Sequence, residues 1–210
     1  MSDPPRKTGR PSFDMIATLG VLIVAVASLA VAVENTIESR RMVAAESWPF
    51  LQFGHGNATD DLRFAITIAV GNSGVGPAML ESLEIWLGDT PLAGSADLLR
   101  ACCDDAEGTR LARFRERVMA AYQDQGEGLW ASSRAQGRVI AAGDEVALLQ
   151  MRRTPEVAEV WDLLNEARWR LRARACYCSV LGECWVTDFK QLRPTPVDRC
   201  ETDGRMQYVE

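Results

Sequence analysis

The sequence predicts one N-terminal transmembrane helix followed by a mainly β domain with α-helical insertions. Three observations predict it. From Met15 to Val33 there is no charged residue, and only Thr18, Gly20 and Ser28 interrupt an aliphatic and alanine run. Residues 62–70 (LRFAITIAV) alternate, with Leu62, Phe64, Ile66, Ile68 and Val70 on one face and Arg63 and Thr67 on the other. Residues 176–185 (CYCSVLGECW) read as a cysteine-bearing hairpin.

The apolar run comes first. At the rise of an α-helix it spans roughly 29 Å, about one bilayer core. Lipid offers no partner to unsatisfied backbone groups, so helix is the form expected there. The prediction is a membrane-spanning segment over 13–33 in contact with the lipid bilayer, a short disordered tail over 1–12 and a helical connector over 34–46. No second run is long enough to span, which makes the topology single-pass. Arg6, Lys7 and Arg10 precede the segment, whereas Arg40 and Arg41 stand some way beyond it. That bias puts the N-terminus in the cytoplasm. Ala30-Val31-Ala32 offers a signal-peptidase motif, but the apolar run exceeds the about 7–15 residues of a signal core, so a retained signal-anchor is expected.

Past residue 41 there are 18 Lys/Arg against 25 Asp/Glu, a net of −7. An acidic domain is a poor partner for nucleic acid or anionic lipid, and no nucleic-acid role is expected. Residues 47–210 have the length of one domain.

Within it, 48–53 (WPFLQF) reads as a first strand, 54–61 (GHGNATDD) as a turn cluster, and 62–70 as the second strand. After the 71–78 loop, 79–87 (MLESLEIWL) fits two periods. Leu83, Ile85 and Leu87 suit a strand; Met79, Leu80, Leu83 and Leu87 suit a helix face. The Gly88-Asp89 turn and the shortness of the run predict strand. Residues 97–123 carry Leu98, Leu99 and Cys102, then Leu111, Phe114, Val118 and Tyr122, at helical spacing. Gly108 divides this stretch, and Thr109 is placed to cap its second half. Residues 124–137 read as loop, and 138–151 as two short strands around an AAGD turn or as one strand with a lead-in. Thr154-Pro155-Glu156 opens a helix over 155–168, with Val157, Val160, Trp161 and Leu164 on one face. Alternation then resumes at Trp169, Leu171, Ala173, Ala175 and Tyr177.

Six cysteines in this domain suit an oxidising compartment. If Cys178 lies opposite Cys184, the same register sets Tyr177 opposite Trp185 and Arg174 opposite Asp188, each a favourable cross-strand pair. Pairing Cys176 with Cys184 loses the aromatic match, so Cys178–Cys184 is the expected disulfide. By loop entropy it contributes roughly 2–3 kcal/mol less any strain. Cys176–Cys200 is the natural second bridge. Cys102 and Cys103 are adjacent, and adjacent cysteines seldom bond to each other, so one of them is expected to bridge elsewhere or stay a thiol. C-x-C-x5-C lacks the usual zinc spacing, and there is no C-x-x-C, so neither a metal nor a cofactor is expected.

W-P-F-L at 48–51, the alternating strand ending in Asn72-Ser73-Gly74-Val75-Gly76-Pro77-Ala78, and the C-Y-C-S-V-L-G-E-C-W run resemble a group of uncharacterised bacterial single-pass membrane proteins. Their motifs are N-x-G-x-G-P-A and C-Y-C-S-x-x-x-E-C-W. The resemblance covers about a third of the chain and implies a small β-sandwich held outside the cytoplasm. It lends no catalytic residue.

The other places for chemistry are few. Asn72, Gly74 and Gly76 form a loop of possible ligand contact, but Pro77 follows and no lysine is near, so an inter-strand turn is the expected role. Positive φ is the reason expected for the asparagine and glycine. His55 is the only histidine, and any Ser-His or Cys-His mechanism must use it; between two glycines it reads as an exposed turn residue. Arg110, Arg113 and Arg117 share a helix face, and Arg170, Arg172 and Arg174 a strand face. Each has acidic neighbours and reads as a solvated face. No catalytic set is expected.

Taken together, these readings give one N-terminal transmembrane helix and a mainly β, immunoglobulin-like sandwich with helices near 97–123 and 155–168. The expected role is a binding or assembly module in the periplasm, anchored in the inner membrane beside another envelope protein. The alternative is an envelope enzyme or metal/redox protein using the cysteine cluster.

Overall fold

The computed structural model describes residues 13–59, 63–125, 128–202 and 204–209. The tail expected over 1–12, and Leu62 of the second strand, lie outside these residues. The chain divides into two units, Met1–Ala45 and Glu46–Glu210.

Helix α1 runs unbroken over Phe13–Glu46, so the predicted span and connector form one element of 34 residues. It is long and apolar enough to cross a membrane. Its large side chains are bare: Leu22, Val24 and Leu29 are 59%, 65% and 66% exposed. Two hydroxyls along it are satisfied internally, Ser28 Oγ donating to Val24 O at 2.8 Å and Thr36 Oγ1 to Ala32 O at 2.7 Å. Back-bonding of this kind keeps those two hydroxyls from facing an apolar surrounding unpaired.

The second unit is mostly β with several helices. In chain order it contains β1 (Leu51–Gly56), β2 (Ala65–Asn72), β3 (Ala78–Leu87), β4 (Thr90–Leu92), α2 (Ser95–Cys103) and α3 (Thr109–Gln125). There follow β5 (Trp130–Ser132), β6 (Val139–Ile140), β7 (Glu145–Arg152), α4 (Ala158–Ala167), a 3-10 turn (Arg168–Arg170), β8 (Leu171–Cys178), β9 (Cys184–Thr187) and β10 (Thr195–Val197). One sheet has the order β1-β2-β7-β5; the other has β10-β9-β8-β3-β4, with β6 also on β3. Every pairing is antiparallel.

Both sheets and all three helices of this unit feed one hydrophobic cluster. Ile66, Ile68 and Val70 of β2 enter it in strict alternation. Two bulges explain where alternation fails. Ile68 pairs with Leu149 but Ala69 with Ala147, so Leu148 is an extra residue in β7. The bulge lets Leu148 and Leu149, neighbours in sequence, both be fully buried. In β3, Leu80 pairs with Tyr177 and Ser82 with Cys176, leaving Glu81 extra. Burial accordingly switches from Ala78 and Leu80 to Leu83, Ile85 and Leu87. That one-residue shift produces the 80–83–87 spacing that imitates a helix face.

Several boundaries differ from the expected ones. The first strand begins at Leu51 because the backbone of Trp48 and Phe50 bonds to the 73–75 turn, Val75 N donating to Trp48 O at 3.0 Å and Ser73 N to Phe50 O at 2.9 Å. It continues through Gly54-His55-Gly56, which pair with Ala69, Ile68 and Thr67, so these are strand rather than turn residues. Part of the expected 124–137 loop is β5. Helix α4 starts at Ala158, since Thr154 O accepts from Val157 N at 3.2 Å and forms a separate turn ahead of it. At α3 the cap is Asp105 rather than Thr109. Its Oδ1 accepts from Thr109 N at 2.6 Å and Arg110 N at 3.2 Å. These bonds, with one from the Thr109 hydroxyl as the largest cause, hold the Asp105 carboxyl down to about 2.

Candidate functional site

The cysteine hairpin is the densest chemical feature. The ladder between β8 and β9 sets Cys178 opposite Cys184 and Tyr177 opposite Trp185. Cys178 and Cys184 are joined at a Cα separation of 4.0 Å, and Cys176 and Cys200 at 5.6 Å. The tyrosine and tryptophan rings stack at 5.8 Å. Ser179 ties the turn together: its Oγ accepts from Leu181 N and Glu183 N, while Gly182 takes φ +83. Only glycine adopts that conformation cheaply. Tyr177 is fully buried, which pushes its phenol up to about 12; its hydroxyl lies toward the Leu51 backbone without reaching hydrogen-bond geometry. Arg174 faces Glu84 of β3 across the other edge of β8.

Cys102 and Cys103 bond to each other, at a Cα separation of 3.7 Å. The expectation that one of them bridges elsewhere is therefore corrected. The other four sulfurs are already paired among themselves, and the pair sits where α2 stops and Asp104 turns extended. There it need not fit a continuing helix.

The Asn72–Gly76 loop is spent on the fold. Asn72 is 2% exposed. Its Oδ1 accepts from Phe50 N at 3.1 Å and Gly74 N at 3.0 Å, and its Nδ2 donates to Gly76 O at 2.8 Å and Ile140 O at 3.0 Å. Four bonds use the whole capacity of an amide, leaving nothing for a ligand. Gly74 and Gly76 are not in the positive-φ region. A Cβ on Gly74 would lie 2.6 Å from Trp48 O, and one on Gly76 would strike the Ser47 backbone. Close approach of residues 47–50, rather than φ, requires glycine here.

His55 is half-buried instead of exposed. Its Nδ1 lies 2.8 Å from Nη1 of Arg168, and its ring meets Trp169 edge-on at 5.1 Å. Guanidinium nitrogen can only donate, so Nδ1 accepts and the imidazole is neutral with its proton on Nε2. Burial, then the Arg168 charge, hold the imidazole below its usual value. Arg168 is 5% exposed, donates Nε to Asn165 Oδ1 at 2.9 Å and lies 4.3 Å over the Trp169 ring. The pair closes the far end of β1 against the turn before β8. It is a buried cation packed on aromatic and amide groups, and no nucleophile adjoins it among the described contacts.

The first arginine face is likewise occupied, and of the second Arg172 is, while Arg170 lies in the 3-10 turn and not on the strand face. Arg110 pairs with Glu159 at 2.7 Å, Arg117 donates to Glu156 O at 3.2 Å, and Arg113 to Thr109 Oγ1 at 3.2 Å. The first two fasten α3 to the segment around the start of α4, and the third stays within α3. Arg172 donates to Gly88 O and pairs with Asp89 at 2.9 Å, clamping the β3–β4 turn.

The outward face of the β1-β2-β7 sheet holds a shallow trough of about 430 Å³. Its floor is small because Gly54, Ala69 and Gly71 lie in it, with Gly54 paired to Ala69. Gln52, Thr67, Glu145 and Gln150 form polar walls. Glycine and alanine on an outward sheet face leave backbone open to an approaching surface.

Comparison with protein-family models, with curated proteins and with solved structures finds no match.

Proposed function

We propose that the chain is a membrane-anchored, extracytoplasmic binding or assembly module. In this reading residues 13–33 cross the inner membrane of a bacterial cell with the N-terminus in the cytoplasm. Residues 47–210 then form an immunoglobulin-like sandwich in the periplasm, working beside another envelope protein. One observation carries the reading: a bare apolar helix of membrane length shares a chain with a β unit whose six cysteines all stand in disulfide pairs. Apolar side chains of that number need a lipid cover, and paired cysteines persist on the oxidising side of a membrane.

The strand order supports the sandwich. β1-β2-β7-β5 and β9-β8-β3-β4 follow the ABED and GFCC′ arrangement of immunoglobulin-like domains, with α2 and α3 between C′ and D and α4 between E and F. The usual bridge between strands B and F has no counterpart, since Cys176 and Cys178 of β8 pair with Cys200 and Cys184. The polar-walled trough on the β1-β2-β7 face is the surface offered for contact.

The test is crosslinking in intact membranes followed by mass spectrometry. A reproducible protein partner, linked through residues around Gln52 and Gln150, supports the module. Crosslinks confined to the chain itself, or a domain resistant to protease added to spheroplasts, overturn it.

A further inference from the structure

The sulfurs at the end of β8 stand close enough to change partners. Sγ of Cys178 lies 3.9 Å from Sγ of Cys200, although the two belong to different disulfides. The Sγ atoms of Cys178, Cys184 and Cys200 all fall within 4.8 Å of one another. Strand geometry makes this so. Cys176 and Cys178 project from the same face of β8, two residues apart. Cys184 faces Cys178 across the ladder, and the segment after β10 brings Cys200 over both. Cys176, Cys178 and Cys184 are buried, while Cys200 is partly exposed and the turn beside Cys184 is open at Val180 and Leu181.

We propose that these four cysteines are one exchange site, in which reduction of the hairpin disulfide moves the second staple from Cys176–Cys200 to Cys178–Cys200. The co-reactant is a dithiol. Its thiolate attacks Cys184 Sγ, forming a mixed disulfide and expelling Cys178 as thiolate. Cys178 then attacks Cys200 Sγ across the short gap, forming Cys178–Cys200 and expelling Cys176, which takes a proton from water. The second thiol of the co-reactant resolves the mixed disulfide, releasing Cys184. One dithiol has become a disulfide, and the protein has gone from two disulfides to one plus the thiols of Cys176 and Cys184. Thiolate attack on a disulfide sulfur needs no further reagent. Because Cys178 is two residues beyond Cys176, the segment at Cys200 re-anchors about 7 Å further along β8. Redox state thereby sets where the last strand is tied.

Two independent disulfides would behave differently, and peptide mapping separates the cases. Full-length chain in detergent is treated with limiting dithiothreitol, quenched with acid, alkylated and mapped without reduction. The expected first product has Cys178 linked to Cys200, with alkyl tags on Cys176 and Cys184. A first product with tags on Cys178 and Cys184, and Cys176–Cys200 intact, overturns the proposal. A Cys184→Ser chain gives a second reading that needs no added thiol. The alkyl tag is expected to move from Cys178 to Cys176 on incubation at mildly alkaline pH; a tag that stays on Cys178 contradicts the exchange.

Discussion

Residues 47–50, where the β unit begins, are held by backbone hydrogen bonds, two close-approach glycines and one buried asparagine. Residues 195–200, where its last strand ends, are held by a three-residue ladder and by one disulfide reaching into β8. The first attachment is indifferent to redox state, and the second depends on it. A protein built this way keeps the start of its β unit fastened whether its cysteines are oxidised or reduced, while the attachment at Cys200 depends on their state.

The comparison can be broken from either side. Asn72→Ala is expected to have the largest effect. It strands Gly76 O and Ile140 O in a buried place and Phe50 N and Gly74 N in a part-buried one, and each unsatisfied buried group costs about 1–3 kcal/mol before relaxation or water entry. A loss of about 4 kcal/mol in denaturant unfolding is expected, the same with or without reductant. Cys176→Ala with Cys200→Ala comes next. A sequence separation of 24 gives about 3 kcal/mol by loop entropy, and the separation of 6 at Cys178–Cys184 gives about 2. Both losses should vanish when parent and variant are compared in reductant. If reductant abolished the Asn72 effect as well, the two attachments would not be independent.

Mild acid should act first on the β1 side, through His55, before the lowered carboxyls of Asp105 and Asp162 titrate. The His55 imidazole titrates below its usual value in the folded chain, so the unfolded chain takes up its proton first. Stability is therefore full above about 6.5 and declines as pH falls through that value toward the folded one. Substituting His55→Gln should flatten this part of the pH profile without changing the response to reductant. The smallest effect is expected for Cys102→Ala with Cys103→Ala. A bond between neighbours closes no loop, so the change should stay below about 1 kcal/mol in the same unfolding assay.

What could be read from the sequence was what is local. The hairpin register was legible because Cys178, Cys184, Tyr177 and Trp185 lie within a few residues and one pairing satisfies them all. The apolar run of α1 was legible because length and composition suffice. The bulges at Glu81 and Leu148 were not, since an extra residue breaks the alternation on which strand reading depends. The role of His55 was hidden because its partner lies 113 residues away. The same holds for Asn72, whose fourth bond reaches Ile140 from 68 residues off. The glycines of that loop read as a turn from sequence, but the reason for them does not, because the segment crossing above them is set by tertiary packing. The Cys102–Cys103 bond is not legible locally, because it follows from where the other four sulfurs lie in the fold.

The most direct test of an anchored, oxidised module is the thiol state of the protein in its own cells. Cells are quenched in acid, and the denatured chain is treated with a maleimide-polymer reagent before and after reduction. The expected result is no shift before reduction and six added polymers after it. A shift before reduction, with tags on any of the hairpin cysteines in untreated cells, would contradict an oxidising location for the domain.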